Sequence, residues 1–169
     1  MTEGGGIEWQ MGVGGPRDNA LVSLVATEDG VILASQTLHS FYTFGSCASW
    51  VVKVGREGEI AWQKVFNNGG CDQAQVFESG AGEPMVAGSV QEGAYGQDDI
   101  WFGTLDPDGG IPRSVLVGDG SRDERLYAAA AYGTDLVLAG TMDDSAEGVV
   151  READIVFREV DVTVEVLCP

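Results

Sequence analysis

The 169 residues are enough for one domain, and 44% hydrophobic against 21% charged residues is the composition of a globular chain. Nine Lys and Arg against 27 Asp and Glu give a net charge of −18, which repels nucleic-acid phosphates and anionic lipids. No stretch approaches the roughly 18 apolar residues of a membrane span, so we expect neither nucleic-acid binding nor membrane insertion.

Residues 1–6 have neither a basic region nor an apolar stretch, so we expect a disordered or artificial lead there and a single domain over 7–169. The chain contains 25 glycines, spread along its length. Many tight turns between short strands require such glycines, and long helices disfavour them. The sequence therefore predicts an all-β fold.

Apolar runs and alternating residues predict four short strands in each of three successive units. In chain order the predicted strands are 7–13, 20–27, 31–37 and 50–54, then 60–66, 74–78, 84–90 and 100–105, then 113–117, 126–131, 136–141 and 155–160. Residues 162–167 alternate cleanly and predict one extra strand.

The units, 7–59, 60–110 and 111–161, recur with a period of 51 to 53 residues. Periods of this size with several strands per unit indicate a repeat architecture such as a propeller. The residues that mark the repeat are Trp9, Trp62, Trp50, Trp101, Asp18, Asp72 and Asp123. An aspartate at the same place in every unit is expected to accept backbone N–H groups in its own loop, not to form one shared active site.

The second unit carries Trp62, Gly69-Gly70, Asp72, Ala87-Gly88-Ser89 and Asp99-Ile100-Trp101. This pattern resembles the Kelch-like β-propellers of bacteria, although the third unit lacks both tryptophans. The resemblance implies four-stranded antiparallel blades, about three in this chain, and a platform for binding.

Strand direction alternates within a meander, so long and short connections should lie at opposite edges, and long loops on a rigid scaffold are where binding tends to reside. Aromatic and amide side chains in the predicted long loops could stack on sugars or peptide side chains. They are His39, Phe41, Tyr42, Phe44, Asn67, Asn68 and Tyr95. The alternative is that Phe41 and Phe44 form a small local core.

Acidic pairs in the same loops, Asp98-Asp99 and Asp143-Asp144, are candidate oxygen ligands for calcium, the one cofactor that the residues suggest. Solvated surface charge is the alternative. The acidic loop residues could also include the carboxylate pair of a glycosidase, but nothing in the sequence singles out two of them.

Three cysteines, Cys47, Cys71 and Cys168, match no zinc or redox spacing. Cys47 and Cys71 fall in loops that adjacent blades would bring together, so we expect a disulfide that contributes roughly 3 kcal/mol. A disulfide implies an oxidising compartment, and with the acidity it predicts an extracellular or cell-surface protein.

The sequence favours a non-catalytic binding or scaffold module whose ligand is a protein or a carbohydrate, bound by the long loops. A carbohydrate-active hydrolase and a purely structural, self-assembling propeller fragment are the alternatives. Propeller rings have about four to eight blades. We therefore expect a homo-oligomer, such as a dimer that forms a six-bladed ring, or a piece of a longer propeller.

Overall fold

The computed structural model describes residues 6–7, 9–14, 19–37, 48–66, 73–90, 98–118, 122–133, 135–143 and 154–161. Its regular elements are β1 (Asn19–Thr27), β2 (Gly30–Thr37), β3 (Ala48–Gly55), β4 (Ile60–Phe66), β5 (Gln73–Glu78), β6 (Pro84–Val90), β7 (Asp99–Thr104), β8 (Ser114–Val117), β9 (Asp123–Tyr132), β10 (Asp135–Asp143) and β11 (Asp154–Asp161). Within these ranges no helix has the length and apolarity that a membrane crossing requires.

The strands form three antiparallel sheets in which chain neighbours are also sheet neighbours. The first sheet has the order β1-β2-β3-β4, the second β5-β6-β7-β8, and the third β11-β10-β9. Neighbouring strands pair antiparallel. In their registers Val76 lies opposite Val86, and Leu33 lies opposite Val52. The predicted all-β, antiparallel fold is confirmed, and the described strands form open sheets.

The predicted units are offset from the sheets by one strand. Residues 60–66 and 113–117 are predicted to open the second and third units, but β4 and β8 instead complete the first and second sheets. The reason lies in the connections at 55–59 and 106–110, which are tight hairpin turns. Gly58 and Gly109 adopt φ of 87° and 77°, and their N–H groups donate to the carbonyls of Gly55 and Asp106 over 3.1 and 3.0 Å. Turns this short return the chain to the adjacent strand of the same sheet.

The strand predicted at 7–13 does not form: residues 7 and 9–13 have no strand assignment. A strand needs a paired neighbour to satisfy its backbone groups, and no described strand pairs with this segment. The segment instead contacts the first sheet through Trp9 and Val13, which packs beside Trp50. The extra strand predicted at 162–167 lies outside the described residues.

The second sheet is buried on both faces because alternate side chains pack against the other two sheets. Val76 and Val86 join Val51 of the first sheet in one apolar cluster. Phe77 and Met85, one position along the same strands, join residues of the third sheet in another. The apolar runs therefore predict strands covered on two sides, as β6 with four consecutive buried residues shows.

Serine hydroxyls fix the first strand of one sheet against the preceding sheet. Ser23 Oγ in β1 accepts the N–H of Val76 in β5 over 2.7 Å, and Ser89 Oγ in β6 accepts the N–H of Leu126 in β9 over 2.8 Å. Each bond satisfies a backbone donor of a sheet-edge strand. The sheets are thus joined by directional bonds as well as by apolar packing.

Candidate functional site

Trp9 and Trp62, which are 53 residues apart, dock on two hairpin turns in the same way. The indole N–H of Trp62 donates to the carbonyl of Pro107 over 2.8 Å, and that of Trp9 to the carbonyl of Arg56 over 2.7 Å. In each turn the left-handed glycine faces the ring: a Cβ on Gly109 would lie 2.7 Å from Trp62 Cε3, and one on Gly58 would lie 3.0 Å from Trp9 Cδ2. Glycine is therefore required by contact as well as by conformation.

β4, which carries Trp62, lies outside the core. It is an edge strand with mostly exposed side chains, and only Trp62 and Phe66 are half-buried. Trp50 and Trp101, which lie on central strands, are buried, and Trp9 is 42% exposed. Position within the sheet, not membership of the predicted repeat, decides the burial of each tryptophan.

Trp62→Phe should lower the free energy of unfolding by about 0.5–1.5 kcal/mol, since phenylalanine keeps an aromatic ring but cannot donate to Pro107. Urea denaturation followed by far-UV circular dichroism measures the change. Trp9→Phe removes the equivalent bond and is expected to cost no more than Trp62→Phe, because Trp9 lies in a segment without strand pairing. Equal stability of Trp62→Phe and the parent chain would show that water replaces this bond without loss.

A cleft of about 1050 Å³ opens between the first and second sheets at the edge where the short turns lie. Buried Val25, Ile32 and Leu105 form its apolar floor. Trp62 and Pro84, both half-buried, stand along its walls. The turns that surround it are 28–29, 55–59, 79–83 and 106–110, each closing a hairpin, so the cleft rests on a hydrogen-bonded frame.

The cleft is strongly acidic. Its lining includes two cations, Lys53 and Arg56, and seven acidic residues. The acidic residues are Glu28, Asp29, Glu57, Glu59, Glu78, Glu83 and Asp106. Because the two sheets bring these carboxylates to one concave surface, their fields add there.

Both cations of the cleft already have partners. Lys53 Nζ lies 2.7 Å from Asp29 Oδ2, and this hydrogen bond, followed by that from Thr27, lowers the pKa of Asp29. Arg56 Nε donates to the carbonyl of Glu28 over 2.8 Å. Both cations therefore bind the turn at 28–29 and stabilise the wall of the cleft.

One carboxylate of the lining also belongs to the frame. Asp106 Oδ1 accepts the N–H groups of Asp108 and Gly110 over 3.0 and 2.6 Å, which closes the 106–110 turn. Five exposed glutamates of the lining have no such role for their carboxylates: Glu28, Glu57, Glu59, Glu78 and Glu83. Their carboxylates are exposed to solvent at the opening of the cleft.

The predicted binding residues of the long loops fall outside the described part of the chain. These are His39, Phe41, Tyr42, Phe44, Asn67, Asn68 and Tyr95, together with Cys47, Cys71, Asp18, Asp72 and Asp144. The side chain of Asp143 is also outside it. The long-loop ligand site and the disulfide therefore stay predictions.

Asp98, a predicted calcium ligand, links the second and third sheets. Its N–H donates to Asp123 Oδ1 over 3.2 Å, and its carbonyl accepts the N–H of Glu124 over 2.6 Å. Its carboxylate Oδ2 accepts from Arg125 Nε at 3.0 Å, a hydrogen bond that raises the pKa of Arg125 against the opposing effect of burial. Asp123 thus accepts a backbone N–H from a residue 25 positions away, and the predicted bonds within its own loop stay a prediction.

Asp99, the second predicted ligand, is fully buried, as is Glu124 at 2% exposure, and both carboxylates lie against Gly118. Over the residues that the structure describes, no group of three or more His, Cys, Asp or Glu side chains is placed to hold a metal ion. The side chain of Asp143 and the whole of Asp144 lie outside the described residues, so calcium binding by the four together stays a prediction.

No protein-family model matches the sequence, and no curated protein matches it significantly. The resemblance to Kelch-like propellers therefore depends on the quoted residues alone.

Proposed function

We propose that the chain is a non-catalytic binding module for a segment of another protein, held in the cleft between the first and second sheets. The observation that carries the proposal is the form of this cleft: about 1050 Å³, with an apolar floor and charged groups at the rim. Ligand sites in proteins typically enclose about 300–1,000 Å³ and combine apolar walls with a few polar groups.

The frame of the cleft favours binding by preformed walls. Ser79 Oγ accepts the N–H groups of Ala81 and Glu83 over 3.3 and 3.0 Å, and the Ser79 N–H donates to the Glu83 carbonyl over 2.8 Å. The turn at 106–110, in the same sheet, is held by comparable backbone bonds. A wall that is ordered before binding loses little conformational entropy when the ligand enters.

Within this proposal the three sheets are blades of a propeller-like stack. Two features support it: alternate residues of the second sheet pack against both neighbours, and Trp9 and Trp62 repeat one contact at a spacing of 53 residues. Stacked repeat units are expected to repeat their nearest-neighbour contacts in this way.

Selection from a random peptide-display library, with a glycan array in parallel, tests the binding function. Pro84→Trp adds bulk to the wall of the cleft without changing charge. Val115→Trp adds bulk at an exposed position of β8, outside the lining. We expect peptides whose affinity falls about tenfold or more with Pro84→Trp and stays within about twofold with Val115→Trp, since a filled cleft excludes the ligand.

The unfolding midpoint of each variant establishes that it folds. Peptides that bind Pro84→Trp as tightly as the parent would place the site elsewhere and contradict the proposal. Glycans that bind with the same sensitivity to Pro84→Trp, in the absence of peptides, would replace the protein ligand by a carbohydrate.

A further inference from the structure

We infer that the cleft binds a cationic segment, with lysine or arginine side chains set among apolar residues. This inference depends on the proposed function, because it names the chemistry of the ligand at the same site. Its basis is the combination of an acidic rim and an apolar, partly aromatic interior in one concave surface.

The negative charge of the rim favours a ligand of positive charge. Glu28, Glu57, Glu78 and Glu83 are exposed around the opening, whereas Lys53 is paired with Asp29 and Arg56 is bonded to a backbone carbonyl. A ligand with carboxylates or phosphates would face this negative field without a counterion. A cation would be attracted from solution, and a low-dielectric cleft strengthens that attraction.

The interior of the cleft favours a ligand with hydrocarbon surface next to its charged group. Val25, Ile32 and Leu105 offer no polar side-chain atoms, and the N–H of Trp62 is already bonded to Pro107. The indole therefore presents ring carbons and not a donor, which suits a hydrocarbon stem better than a sugar hydroxyl. Lysine and arginine place long aliphatic stems on apolar surfaces while their charged ends remain near carboxylates. Their cations are also attracted to the face of a tryptophan ring.

Different residues of the cleft would contact the aliphatic stem and the charged end of such a side chain. Trp62 and Pro84 would contact the stem, and Glu78 and Glu83, at the two ends of the β5–β6 hairpin, would face the ammonium or guanidinium group. Apolar residues on either side of the cation would cover the floor. A simple inorganic cation would gain nothing from these apolar walls.

Fluorescence anisotropy with two labelled octapeptides tests the inference. One alternates lysine with valine and the other alternates glutamate with valine, so that only the charge differs. The lysine peptide should bind with one-to-one stoichiometry and at least about tenfold more tightly than the glutamate peptide. Its affinity should fall as salt rises from about 50 to 500 mM, because the Debye length shortens several-fold.

A pair of charge reversals separates the cleft from the general acidity of the chain. Glu83→Lys places a positive charge at the rim and should weaken binding of the lysine peptide about tenfold, since one attraction becomes a repulsion. Asp108→Lys makes the same change in the 106–110 turn, at an exposed residue that is not part of the lining. It should change the affinity by no more than about twofold.

Equal weakening by Glu83→Lys and Asp108→Lys would mean attraction to the net charge alone and would overturn the inference. Selected peptides that are neutral or acidic, yet are excluded by Pro84→Trp, would also overturn it while leaving the binding function intact. If no peptide were sensitive to Pro84→Trp, both proposals would fail together.

Discussion

Trp101→Ala is expected to lower the free energy of unfolding by about 3–5 kcal/mol, the usual cost of truncating a large buried aromatic residue. Trp101 lies on the central strand β7, is 8% exposed and belongs to the apolar cluster between the first and second sheets. Its ring centroid is 5.9 Å from that of Phe66 on β4. The substitution would leave a cavity that rigid backbone on both sides cannot fill, so it should weaken the contact between the sheets.

Tyr132→Ala provides the matched control, since it also removes a large aromatic side chain but from a position that is 74% exposed. It should change stability by no more than about 0.5 kcal/mol. Chemical denaturation of both variants, followed by far-UV circular dichroism, gives the two values. A cost for Trp101→Ala no larger than that of Tyr132→Ala would mean that the two sheets do not stabilise one another through this residue.

The individual strands were largely predictable because apolar alternation is a local property. The predicted strand 84–90 coincides with β6, and 60–66 coincides with β4. The assignment of strands to sheets was not predictable from the repeat, because a period sets the spacing of equivalent residues but not the point at which one sheet ends. The turn at 106–110, predicted to link units, contains the left-handed Gly109 and closes a hairpin.

The cleft was not predictable from the sequence, for a related reason. It is assembled from four turns and two sheets that are far apart in the chain, and each turn alone resembles an ordinary solvated hairpin. Loop length instead predicted binding by the long loops. A usable signal was present in the recurrence of acidic residues at successive short turns: Glu28-Asp29, Glu57, Glu83 and Asp106. Only stacking of the sheets brings these residues to one surface.

The two leucines Leu126 and Leu24 test whether apolar faces are covered in the same way along the stack. Leu126 on β9 is 1% exposed and packs with Phe77 and Met85 of the second sheet, whereas Leu24 on β1 is 57% exposed. Leu126→Ala should cost about 2–5 kcal/mol, since it removes a fully buried side chain between two sheets. Leu24→Ala should cost no more than about 0.5 kcal/mol.

The comparison is informative because the substitution is chemically the same and both residues lie on the first strand of a sheet. Leu24 neighbours Val25, whose side chain packs toward the second sheet, so alternation turns Leu24 to the opposite face. Denaturation at several protein concentrations measures both costs. A Leu24→Ala cost near that of Leu126→Ala, rising with concentration, would show that another copy covers this face, as a ring of several chains requires. A small, concentration-independent cost would show that the first sheet is stable with Leu24 open to solvent.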